Sequence, residues 1–136
     1  MADFPGKSWL VGFFCLPMPV DVYSTHTFKD LDGWRSRFLA LVAAGVDRLQ
    51  LSDTAGLPKW LNGTDTNEWE RGNRWVLQLA LSADAPKVSL IAVWDGSPTG
   101  DGKGGTAHMV DIARSAETVA VDVIKLEGMA VVDAGS

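Results

Sequence analysis

Residues 9–16 form an apolar run broken only by Gly12, the pattern of a strand buried on both faces. Pro17 and Pro19 stop it, because proline has no amide to give a sheet ladder. Residues 20–27 show no apolar period and read as a loop. Leu31, Trp34, Phe38, Leu41 and Val42 then recur at three- and four-residue spacing, one stripe of an amphipathic helix that Gly45 ends. Val46, Leu49 and Leu51 predict a short strand, and residues 52–64, with Gly56, Pro58 and Gly63, a connecting loop. Asp65 to Glu68 has the form of a capping box with Asp65 as N-cap, opening a helix to about residue 82. Trp69, Trp75, Val76, Leu79 and Ala80 supply its inward face. After Pro86, residues 88–94 are apolar on both faces apart from Ser89, as in a central parallel strand. A helix begins near Thr106 with Met109, Val110, Ile112 and Ala113 inward, and residues 119–126 form a last strand. The alternation predicts a single α/β domain over residues 1–136, with a mainly parallel sheet of four or five strands and helices on both faces.

Composition narrows the function. The chain has 136 residues, 46% of them hydrophobic and 21% charged, enough for one core without disulfides or metal. Its net charge of −5 argues against nucleic acid as a partner, since that affinity rests on Lys and Arg neutralising phosphates. A small anion stays open, because helix N-termini and backbone amides bind phosphate without net positive charge. Cys15 is the only cysteine and reads as an inert thiol in an apolar run. No segment reaches the roughly 20 apolar residues of a membrane span, and the start lacks a signal-peptide pattern, so a cytoplasmic location without membrane contact is expected.

Residues 95–105 hold five glycines and Pro98, and such a long connection between a strand and a helix is usually functional or disordered. Ligands of open α/β sheets bind where these loops converge. Gly104 and Gly105 let amides approach an anion closely, Lys103 adds a charge, and Thr106 caps the helix or reaches a ligand. Asp95, directly after the strand, can accept hydrogen bonds from a ribose or from the loop's own amides. A flexible surface connection remains the plain alternative. The loop is neither a Walker A element nor the dinucleotide fingerprint.

The block from Leu90 to Gly96, followed by Gly100-Asp-Gly-Lys-Gly-Gly-Thr-Ala-His-Met-Val110, resembles a strand-loop-helix block of the SLOG-like superfamily. That group includes the LOG phosphoribohydrolases, DprA-type proteins and nucleotide sensors. The resemblance spans about residues 65–126 and implies a Rossmann-like three-layer sandwich. It also implies a nucleotide or nucleotide-derived ligand cradled by Gly104, Gly105 and Thr106; with the loop's own chemistry the candidate ligand residues are Asp95, Gly96, Gly102, Lys103, Gly104, Gly105, Thr106 and His108. Enzymes of the group carry a catalytic glutamate three residues after the threonine; here Met109 stands there, and a thioether can neither take a proton nor attack an anomeric carbon. The implied role is therefore a sensor module of a bacterial signalling or defence system, with no catalytic residue, cofactor or metal, and with a second copy or attached signalling domains as partners. An N-glycosidase or deoxyribosyltransferase-like enzyme using Asp95 or His108, or an interaction domain without a small ligand, are the alternatives.

Other residues fit plain roles as well as functional ones. His108 and His26 are ligand contacts or solvated histidines. Asp21, Asp53 and Asp95 each follow a predicted strand and either gather at one sheet edge or cap loops. Glu68 and Glu70 read as helix-start charges, with Arg71 and Arg74 as their ion-pair partners or as phosphate contacts. Trp94 ends the central strand beside the loop and either packs in the core or stacks on a base.

Overall fold

The computed structural model describes residues 12–99 and 102–125. The chain is a mixed α/β fold with β1 (Phe14–Leu16), α1 (Val20–Thr27), α2 (Asp32–Ala43), β2 (Arg48–Gln50), α3 (Glu68–Ser82), β3 (Val88–Trp94), α4 (Thr106–Ser115) and β4 (Val119–Lys125). A single 3-10 turn, Lys59–Leu61, interrupts the loop before α3.

The described strands form two separate parallel pairs rather than one sheet of four or five. β1 lies beside β2, with Phe14 opposite Arg48, and the helices α1 and α2 make the crossover. β3 lies beside β4 from Val88–Val119 to Trp94–Lys125, and α4 makes the crossover. Each pair is thus a βαβ unit, the connection parallel strands require. The expected strand over residues 9–16 is seen from Phe14; Trp9 to Val11 and Leu126 lie outside the described residues.

Three expectations are corrected. Residues 20–27 are helical, not a loop. α1 follows Pro19, whose ψ of 150° suits an N-cap, and tertiary packing supplies what the apolar period lacks. Tyr23 packs with Phe28, Phe38 and Trp69 at centroid distances of 6.5, 5.4 and 6.1 Å. Ser24 is fully buried, its hydroxyl donating to the Asp21 carbonyl at 3.1 Å. Second, β3 is not buried on both faces. Ala92 is buried, but Ile91 and Val93 are 68% and 55% exposed, because a two-stranded sheet has α4 on one face only. Third, the N-cap of α3 is Asn67 rather than Asp65: its side-chain oxygen accepts from the Glu70 amide at 2.8 Å. The capping-box spacing recurs as Asn67 and Glu70, yet the Glu70 carboxylate turns to other partners.

The core that positions α4 is small and well defined. Val110 and Ala113 are 1% and 0% exposed on the inward face of α4, which packs on β3 and α3, where Ala92 and Leu77 are also buried. Met109 and Ile112 are only partly buried. On the other unit Leu16, Met18 and Phe38 are buried, while Trp34 and Leu41 of the α2 stripe are not. α3 meets the end of β1 at Gly72, where a Cβ would stand 2.8 Å from the Pro17 Cβ. Cys15 is partly buried beside this contact, and desolvation raises its thiol pKa, which disfavours the reactive thiolate. No helix among the described residues is long and apolar enough to cross a membrane.

Candidate functional site

The glycine-rich loop is pinned to the start of α3. Asn67 uses both ends of its amide: the oxygen caps α3, and the nitrogen donates to the Lys103 carbonyl at 2.9 Å. Nearly two turns on, the Asn73 amide nitrogen donates to the Gly104 carbonyl at 2.9 Å. Gly104 has φ +88° and lies so close to α3 that a Cβ would stand 2.6 Å from the Trp69 Cβ and 2.7 Å from the Glu70 amide nitrogen. Only glycine meets both demands at this position. Gly102 also has positive φ, +73°, but open space around it.

This docking opens a cleft of about 390 Å³ between the loop, α3 and the first turns of α4. Its wall includes Glu70, Trp94, Lys103, His108, Asp111 and Arg114. The volume falls at the lower end of the range of small-ligand sites. Lys103 reaches Asp65 at 3.1 Å and Glu70 at 3.5 Å. Its hydrogen bond to Asp65, with the Asp65 and Glu70 charges adding to it, raises its pKa above the ordinary lysine value. Trp94 is held by its indole N–H donating to the Ser97 carbonyl at 3.0 Å.

A carboxylate and an imidazole meet inside the wall. Glu70 and His108 side chains are 16% and 15% exposed, with Oε2 and Nε2 3.5 Å apart. Asn73 Nδ2 lies 3.1 Å from His108 Nδ1. The Gly104 carbonyl can only accept, which orients the Asn73 amide with its nitrogen toward the loop. Nδ1 is therefore the accepting ring nitrogen, and in the neutral ring the proton sits on Nε2, facing Glu70. Glu70 Oε1 and His108 Nε2 are both buried and lack a hydrogen bond among the described residues. Each instead faces an opposite charge at ion-pair distance, Oε1 the Lys103 ammonium and Nε2 the other Glu70 oxygen, both at 3.5 Å.

Of the residues expected to bind ligand, the cleft brings together Gly102, Lys103, Gly104 and His108. Gly105 and Thr106 line a shallower neighbouring depression with Asn73, Ile91 and Met109. Asp95 accepts from the Ser97 amide at 2.8 Å, so it shapes the turn, and Gly96 supplies the positive φ there. His26 is exposed in the last turn of α1. Asp21, Asp53 and Asp95 form no shared metal site, since no group of three or more His, Cys, Asp or Glu among the described residues could hold a metal ion. Glu70, Asn67 and Asn73 were legible only as helix residues. Their spacing of three from one another was the available signal, since it sets all three along one helix face.

No family model, curated protein or solved structure matches the chain. The geometry of the cleft carries the functional reading. Met109 lies outside the cleft wall, in the neighbouring depression.

Proposed function

We propose that the cleft beneath the glycine-rich loop binds a nucleotide or nucleotide-derived ligand, as the recognition module of a signalling or defence system. One observation supports the reading above the others: Lys103 and the first-turn residues Ala107 and His108 of α4 share a cleft with Arg114 and the fixed indole of Trp94. Lys103 beside the first turn of α4 suits a phosphate, Arg114 stands about 12 Å further along the helix, and the indole offers a flat apolar surface to a base. The two βαβ units are compatible with a Rossmann-like arrangement, in which ligands sit at the carboxyl ends of the strands; the loop that lines the cleft leaves the carboxyl end of β3.

The test is a thermal-shift titration with nucleoside mono- and diphosphates and ADP-ribose, repeated on Ala107→Asp. Ala107 lines the cleft in the first turn of α4, where an acidic side chain favours the helix but repels an anion. A ligand at 100 times its Kd stabilises the fold by about 2.7 kcal/mol. At roughly 4 °C per kcal/mol for a domain of this size, Tm should rise by roughly 10 °C. The rise should vanish in a folded Ala107→Asp protein. No rise with any of these compounds would reject the reading.

A second reading, docking to another protein surface, is favoured by the exposed apolar face of the β3–β4 pair, where Ile91, Val93 and Ile124 are more than half exposed. Parallel sheets are ordinarily covered on both faces.

A further inference from the structure

We propose that Asp111 and Arg114 read the base of the ligand and make the cleft selective for guanine nucleotides. This rests on the nucleotide reading and names the base that the part of the cleft beyond Lys103 fits.

Two charged side chains of the cleft wall stand without partners. Asp111 and Arg114 line the cleft from the second and third turns of α4, and both are exposed, so a ligand can reach them. Opposite charges three residues apart on a helix are neighbours and commonly pair. Here neither side chain forms an ion pair or a hydrogen bond with the other or with any other described residue. The remaining charges of the wall are matched among themselves, Lys103 with Glu70 and Glu70 with His108. Asp111 and Arg114 are thus an acceptor and a set of donors left open to the cleft.

A base needs a flat apolar face and directional contacts at its edge, and the same wall supplies both. Trp94 and Pro98 line it, and the indole is held by its N–H donating to the Ser97 carbonyl, which leaves the ring face for stacking. A phosphate beside Lys103 lies at the start of α4. Asp111 is about 6 Å further along the helix than Ala107, and Arg114 roughly 10 Å, at 1.5 Å per residue. A nucleotide laid along the cleft from Lys103 therefore brings its base to these two side chains.

The chemistry of the pair selects among bases. An ionised carboxylate only accepts hydrogen bonds. Guanine presents it with two adjacent donors, N1–H and the 2-amino group. Adenine and cytosine each set a ring acceptor beside their amino group, and uracil flanks its N3–H with two carbonyls. Each of those edges turns a lone pair toward the carboxylate. The neighbouring edge of guanine carries O6 and N7, the two acceptors that an arginine fork fits. Carboxylate and guanidinium on successive turns thus match successive edges of one ring system.

The experiment is calorimetric titration of the wild-type chain and Asp111→Asn with the 5′-monophosphates of guanosine, inosine, adenosine and xanthosine. Wild type should bind the guanosine form on the order of 10- to 100-fold more tightly than the adenosine form, the value of a hydrogen bond to a charged group. Inosine, which lacks the 2-amino group but keeps N1–H, O6 and N7, should fall between them. Asp111→Asn should lose the preference for guanosine and gain one for xanthosine, whose C2 oxygen accepts from the new amide. That gain separates a direct contact from a structural effect of the substitution. Adenosine or inosine bound as tightly as guanosine by wild type overturns the inference and leaves the nucleotide reading intact. A guanosine preference that survives in Asp111→Asn overturns it too, because the base is then read elsewhere. Binding of none of the four overturns both. The wild-type series stands by itself should Asp111→Asn fail to fold.

Discussion

Gly104 passes so close to Trp69 that a side-chain carbon on it would lie 2.6 Å from the Trp69 Cβ, and its φ of +88° is one that other residues rarely adopt. The loop and α3 are thereby locked together, which puts Lys103 next to Glu70. Gly104→Ala should cost about 2–4 kcal/mol, a left-handed backbone penalty of ~1–2 added to overpacking. Gly102→Ala, with φ +73° and no neighbour within 4 Å, should cost only about 1–2 kcal/mol. Urea denaturation of both variants measures the difference; equal losses would reject the close approach.

Asn67 serves two elements with one amide. Asn67→Ala should lower stability by about 1–2 kcal/mol through the lost cap. Asn67→Asp keeps the cap but turns a carboxylate oxygen toward the Lys103 carbonyl. Its loss should be smaller, while amide exchange in the loop quickens. Hydrogen exchange at Gly104 and Gly105, read beside the melting temperature, separates the two roles.

Gly72 is a contest between propensity and packing. Alanine gains up to about 1 kcal/mol over glycine within a helix. At this buried position its methyl would sit 2.8 Å from the Pro17 Cβ, and overpacking costs about 1–3 kcal/mol. Gly72→Ala should therefore destabilise in chemical denaturation, and a stabilised variant would show that α3 and β1 do not meet closely.

The Lys103 ion pairs give alkaline stability a definite sign. Folding raises the lysine pKa, so the contribution is complete below the ordinary value near 10.5 and is lost as pH rises through the folded value. The melting temperatures of wild type and Lys103→Met should differ at pH 8 and converge above pH 11. A difference unchanged across that range would assign the effect of the substitution to packing.

The exposed and buried sides of one βαβ unit should respond unequally. Ile91→Thr, at a position 68% exposed, should change stability by less than about 0.5 kcal/mol and reduce self-association in light scattering. Val110→Ala, at a position 1% exposed, should cost roughly 1–3 kcal/mol. A large loss for Ile91→Thr would mean that this face is covered in solution.

The sequence by itself determined the elements of the second half. The helix to residue 82, the strand over residues 88–94 and the helix from Thr106 all carry strong local signals: an apolar period, a continuous apolar run, and a glycine-rich break before a good helix start. Four of the eight residues expected at the ligand also line the cleft: Gly102, Lys103 and Gly104 are neighbours in the loop that forms one wall, and His108 is in the first turn of the helix that loop opens. What only the tertiary structure decided involves partners distant in sequence. α1 is helical because Tyr23 finds Phe38 and Trp69, which no local period announces. β3 keeps an exposed face because α4 covers only one side of the β3–β4 pair, whereas its apolar run would equally suit a strand covered on both faces. Glu70, locally an ordinary first-turn acid, meets His108 because Asn67 and Asn73 hold the loop, and α4 behind it, against α3. Periodicity records which side of an element is apolar; which charged side chains a docked loop brings together depends on contacts that span more than thirty residues.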